Sequence, residues 1–136
     1  MRTILFRGQR VDNKQWVYGY LSISHIKKGD RVFIINTTAD VAWKINNEIG
    51  WQFSNIVEVI PETVSQFTGC FDKNRTRIFE NDLMQHANPF EKPFVVNWDN
   101  EYSAFTFNEG STGYSINDKS FEVVGNIFDN ADLVSF

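Results

Sequence analysis

The stretch KPFVVNWDNEYSAFTFN, residues 92–108, constrains the fold more than any other part of the chain. Phe94, Val96 and Trp98 recur at a period of two, Asp99-Asn100-Glu101 forms a polar reversal, and Tyr102 to Phe107 makes the return run. Period-two alternation puts every second side chain on one face of a pleated strand, whereas a helix needs apolar residues three and four apart. The segment therefore predicts a β-hairpin, with Trp98 on its core face.

The same pattern recurs along the chain. TILFRGQRVDNKQWVYGYLSI predicts a strand, a turn at Asp12-Asn13-Lys14, and a second strand with Trp16, Tyr18 and Tyr20 on one face and Val17, Leu21 and Ile23 on the other. Both faces are largely apolar, so the expectation is a strand covered on both sides. Lys28-Gly29-Asp30 marks a hairpin, IVEVI at 56–60 predicts a strand that Pro61 ends, and Phe121 to Ile127 predicts another before a short helical turn. TADVAWKINNEIGWQFSN, residues 38–55, is different: Val41, Ile45 and Ile49 have helical spacing, but Asn46-Asn47 and Gly50 interrupt it. It is expected to be an irregular excursion. With 13 Phe and 15% aromatic residues, the composition favours pleated, half-buried surfaces, and the expected class is mainly β.

Charge and cysteine usage narrow the function classes. A formal net charge of −4 disfavours global attraction to nucleic acid or to an anionic membrane. One Cys excludes an intramolecular disulfide, and the apolar run near the N-terminus is too short for a signal core or a membrane span, so a cytoplasmic protein is expected. No cofactor motif is present.

Polar chemistry concentrates in QFTGCFDKNRTRIFENDLMQ, residues 66–85. Asp72, Glu80 and Asp82 could act as paired carboxylates, but Asp72 opens a turn where its side chain can accept backbone N–H groups, and Glu80-Asn81-Asp82 has the form of a turn before a strand. Lys73, Arg75 and Arg77 alternate, which on an extended strand would align them for phosphate, with Phe71 and Phe79 nearby to stack on bases. The competing expectation is a solvated hairpin tip with edge-protecting charges. Cys70 is expected to be a small buried hydrophobe, and His25 and His86 to be surface residues in polar loops. Trp16 and Trp98 fall in strand patterns and are expected in the core. Trp43 and Trp51 lie in the excursion, where they could form a contact surface for a partner.

Three separated blocks, ILFRGQRVDNKQWVYGYL, VIPETVSQFTGCFDKNRTRIFENDLM and FEVVGNIFDNADLV, together resemble the YopX family, proteins found in bacteriophages, prophages and bacterial genomes. The resemblance implies an SH3-like small barrel from about Glu62 onwards with N-terminal β strands packed beside it. Residues 1–60 are then a β subdomain and 61–136 the barrel. No enzymatic activity, catalytic residue or cofactor comes with the resemblance. Where the family has Gly after DKN this chain has Arg75, and the middle of its EGD turn is Asn81. Asn81 tolerates a left-handed backbone and so preserves a tight turn, whereas at Arg75 a positive φ would cost about 1 kcal/mol.

These readings converge on a non-enzymatic protein-interaction or self-assembly module whose partner is another protein or a second copy of the chain. The alternative is a nucleic-acid-binding small barrel using Lys73, Arg75 and Arg77, and the third is an enzyme built on Asp72, Glu80 and Asp82.

Overall fold

The computed structural model describes residues 2–26, 28–36, 55–88, 90–110 and 112–134. It is mainly β, as expected, and divides into two compact units, Thr3–Gln66 and Phe67–Phe136. The 38–55 excursion falls outside the described residues, except for Asn55.

The first unit is an antiparallel sheet. β1 (Phe6–Gln9) pairs with β2 (Trp16–Ile26), β2 with β3 (Gly29–Asn36), and β3 with β4 (Ile56–Val59), giving the order β4-β3-β2-β1. The turn after β1 forms where Asp12-Asn13-Lys14 predicts it: Asn13 accepts the Gln15 N–H at 2.9 Å, and Lys14 takes a left-handed φ of 61°. Ile26 pairs with Gly29 at the next reversal. One face of the sheet supplies the core, Val17, Val32, Ile34, Val57 and Val59, with Phe6, Leu21 and Val64 against it. After a 3₁₀ turn at Pro61–Thr63, Thr63 Oγ1 accepts the Gln9 N–H at 2.9 Å and ties the chain back to β1.

β2 is not covered on both sides. Tyr18 and Tyr20 are exposed, because a tyrosine ring with its hydroxyl is as much at home at a wet surface as in a core. Ile23 is exposed as well: β1 runs alongside β2 only as far as Gly19, and among the described residues no strand flanks the distal part of the β2–β3 hairpin on that side.

β5 (Ser65–Phe71) begins in the first unit, where Ser65 and Gln66 pair with Arg7 and Phe6. From Phe67 it belongs to the second, where Phe67 and Phe71 pair with Phe79 and Arg77 of β6 (Arg77–Phe79). The four-stranded sheet of this unit has the order β10-β7-β8-β9, formed by β7 (Asp82–His86), β8 (Phe94–Asp99), β9 (Ala104–Phe107) and β10 (Phe121–Asn126). Its core is Ile78, Met84, Val96, Phe107 and Phe121, and the Phe107 and Phe121 rings lie 4.6 Å apart. Phe94 and Val96 face this core as their alternation predicts, but Trp98 is 43% exposed and packs edge-on against Phe105 at 5.0 Å. β7 meets β8 only at Val95 and Phe94, so the far end of the β8–β9 hairpin extends past the strand that would have covered it.

Gly19 marks the tightest approach in the first unit. A Cβ there would lie 1.9 Å from the backbone oxygen of Ile35 and 3.1 Å from Ile34 Cγ2. The obstacle is backbone within a paired ladder and cannot rotate away. Gly19→Ala is therefore expected to lower stability by at least about 1–3 kcal/mol, read as a lower urea midpoint. An unchanged midpoint would contradict the β2–β3 register.

Candidate functional site

The turn Asp72–Thr76 organises the most chemically loaded surface of the second unit. Asp72 is 3% exposed. Its Oδ1 accepts the Asn74 and Thr76 N–H groups, each at 2.8 Å, and its Oδ2 accepts the Val123 N–H of β10 at 2.9 Å. The backbone closes the same turn, Asp72 N–H donating to Thr76 O at 2.9 Å and Arg75 N–H to Asp72 O at 3.0 Å. Arg75 sits at φ 63°, so the position where the family pattern has Gly is left-handed here. Asn74 Nδ2 donates to Glu122 Oε2 at 3.1 Å and Lys73 N–H to Phe121 O, so the turn is fastened along the start of β10.

Burial pushes the Asp72 carboxyl up, but the Val123, Thr76 and Asn74 N–H groups and the nearby Lys119 charge outweigh it and hold the group below the usual carboxylate range. Asp72 is thus an ionised structural peg at neutral pH. Asp82 is 1% exposed and its Oδ2 accepts the Phe79 N–H at 2.7 Å, while Asn81 supplies the positive φ of 71° that the reversal between β6 and β7 requires. Glu80 occupies the same reversal. Among the described residues, no group of three or more His, Cys, Asp or Glu gathers in a way that could hold a metal ion.

The basic residues are arranged differently from the single extended row that alternation suggests. Lys73 and Arg75 lie in the turn, and only Arg77 lies on a strand. The Arg77 guanidinium sits 5.7 Å from the Phe67 ring centroid, on the face that carries Phe71 and Phe79. Its place at the tip is taken by Lys119, whose Nζ donates to Phe71 O and to Asn117 Oδ1. Phe71, Asp72, Lys73, Arg75 and Lys119 bound an open depression of about 540 Å³. Phe71 is 42% exposed there, and none of Lys73, Arg75 and Lys119 forms an ion pair among the described residues.

Lys119 was not legible as a site residue. It is 48 positions from Phe71 and enters only through the long-range docking of the turn on β10. Cys70 packs against the apolar core but is half-buried rather than buried. His25 is exposed and hydrogen-bonded to Asp30 at 2.7 Å. His86 lies on β7 rather than in a loop, its ring 5.0 Å from Phe121 and 5.2 Å from Tyr114. Trp43 and Trp51 lie outside the described residues. Among the described residues, no helix is long and apolar enough to cross a membrane.

The Asp72 peg has a defined pH signature. A carboxylate whose folded pKa is depressed stabilises the fold above its unfolded value of about 3.9, and that stabilisation is lost as pH falls through the folded pKa. Asp72→Ala should cost at least about 1–3 kcal/mol at neutral pH, because it strands buried N–H groups, and should flatten the loss of stability below about pH 4. Urea midpoints taken across that range test both parts. An acid limb as steep in the variant as in the wild type would remove Asp72 as its source.

Comparison with solved structures finds the same fold in the crystal structure of protein EF1440 from Enterococcus faecalis. The TM-score is 0.52 at 17% identity, covering 99% of this chain and 100% of that one. No curated protein sequence matches the chain. The family model described as YopX protein matches residues 5–135. With the three sequence blocks inside that span but for Ile4, and the turns they encode formed at Asp72–Thr76 and Glu80–Asp82, the chain belongs to the YopX family.

Proposed function

We propose that the protein is a non-enzymatic interaction module, acting inside bacterial cells or in association with their phages, that holds the acidic surface of a protein partner at the Asp72–Thr76 tip. The observation that carries this reading is the exposed Phe71 ring set among Lys73, Arg75 and Lys119, three cations without ion pairs among the described residues. An apolar anchor rimmed by charge is the usual composition of a small recognition surface. Support for leaving catalysis aside comes from the two buried carboxylates, Asp72 and Asp82, whose oxygens are engaged with backbone N–H groups. We take the second unit as the small barrel of the family, because Ile78 of β6 packs into the same core as the four-stranded sheet.

Single-stranded nucleic acid is the second reading, favoured specifically by Phe71, since an exposed ring beside cations can stack a base while the cations hold the flanking phosphates. The net charge of −4 opposes it.

A labelled poly-glutamate peptide and a labelled oligothymidine distinguish the two by fluorescence anisotropy at low salt. The proposed function predicts that poly-glutamate binds and that Lys73→Ala/Arg75→Ala weakens binding about tenfold. Preferential binding of oligothymidine, lost on Phe71→Ala at about 1–3 kcal/mol per stacked base, would favour the second reading. If neither polymer binds, the tip is not a recognition surface.

A further inference from the structure

The chain that leaves β7 is folded around two side chains of that strand. Gln85 Nε2 donates to the carbonyls of His86 at 3.4 Å, Asn88 at 3.3 Å and Glu91 at 2.9 Å, which pins the segment at both ends. His86 enters as an acceptor, its Nδ1 receiving the Asn88 N–H at 3.1 Å. Asn88 Oδ1 accepts the Phe90 N–H, also at 3.1 Å, so the imidazole orients Asn88 and, through it, the backbone that presents Phe90. The Phe90 ring is 94% exposed, the highest value among the large apolar side chains described.

A ring nitrogen that accepts an N–H carries no proton, so this arrangement requires a neutral His86 with its proton on Nε2. A second partner for Nδ1 is already in place. Glu91 Oε2 lies 3.7 Å from it, is shut off from solvent, and has no hydrogen-bond partner among the described residues. The His86 side chain itself is 22% exposed, so a proton can reach it from water. Its other surroundings also bear on a charge. The ring packs against Tyr114 and Phe121, and the Asp118 carboxyl is held below the usual carboxylate range by the Ser120 N–H and hydroxyl, with the His86 charge adding to this. Lys119 and Glu122, which flank Ser120-Phe121, are engaged elsewhere, with Phe71 O and Asn74 Nδ2.

We propose that His86 is a proton-operated switch for this segment: with Nδ1 bare it holds Asn88, and with Nδ1 protonated it releases Asn88, donates to Glu91 and resets the backbone that presents Phe90. An imidazolium donates from both nitrogens and accepts at neither, so the Asn88 N–H would then face another donor. The Glu91 oxygen gains the bond it lacks, and a charge-assisted bond offsets the cost of a buried, unpartnered acceptor. Histidine is the side chain that makes this change between pH 5 and 8. The arrangement in this structure is thus the one expected at the upper end of that range, and the Glu91-bound one forms as pH falls. The exchange stays local because the Gln85 amide does not titrate and keeps both ends of the segment pinned.

The test is NMR of the full chain between pH 5 and 8, following the His86 ring and the backbone amides. The Asn88 and Phe90 amide resonances are expected to move with the midpoint of the His86 ring, and protection of the Asn88 amide against hydrogen exchange to fall about fivefold as His86 takes up its proton. Glu91→Gln removes the anion and keeps the shape, so the His86 midpoint should move to lower pH. His86→Phe, which keeps a ring against Phe121 and Tyr114, should abolish the titration of both amides. His25, exposed and bonded to Asp30, is the internal reference whose midpoint both variants should leave in place. Amides that do not follow His86, a midpoint unmoved by Glu91→Gln, or a titration that persists in His86→Phe would each overturn the switch.

Discussion

The second unit depends on one buried anion. The Asp72 carboxylate gathers N–H groups from Asn74, Thr76 and Val123, and so joins a tight turn to a strand far away in sequence. An ionised acceptor binds such donors more strongly than a neutral one, which helps to offset the desolvation that burial imposes. The same bonds hold the backbone around Arg75 in a conformation that a non-glycine residue rarely adopts. An apparent excess of functional polar groups is, at its centre, a structural device, and Lys119 beside it is itself held by Phe71 O and Asn117 Oδ1.

What the peg joins is already stiff. Phe94, Phe107, Phe121 and Tyr114 pack ring against ring, and His86 lies against two of them, so the end of the sheet beneath the turn has little room to rearrange. At the other end the constraint is steric: Asn130 lies so close to Gly125 that a Cβ there would meet its side chain, and Asn130 Oδ1 accepts the Asn126 N–H at 3.2 Å. β10 is therefore held at both ends, by a carboxylate at Val123 and by an amide at Asn126.

Legibility in the sequence followed the range of the interaction. The Asp12–Lys14 turn, the Gly29 reversal and the β8–β9 hairpin are set within a few residues, by side chains that bond their own backbone and by period-two alternation, and each forms near its expected place, although the β8–β9 return strand starts at Ala104 rather than Tyr102. Faces were legible less well than strands. Alternation assigned Trp98 and Ile23 to core faces correctly, but burial also requires a neighbouring strand, and both residues lie beyond the reach of theirs. The basic triplet shows the same limit. Lys73, Arg75 and Arg77 align only on an extended chain, and the turn that the local residues demand breaks that alignment.

By itself the sequence determined a mainly β chain of the YopX family, the positions of its turns, and a corner at Asn81 that a left-handed backbone suits, because these depend on side chains acting on backbone close by. Only the tertiary structure decided that Asp72 is a peg to β10 and that Lys119 replaces Arg77 at the tip. These follow from strand pairing between segments distant in the chain, where register, which no local pattern encodes, sets which charges meet.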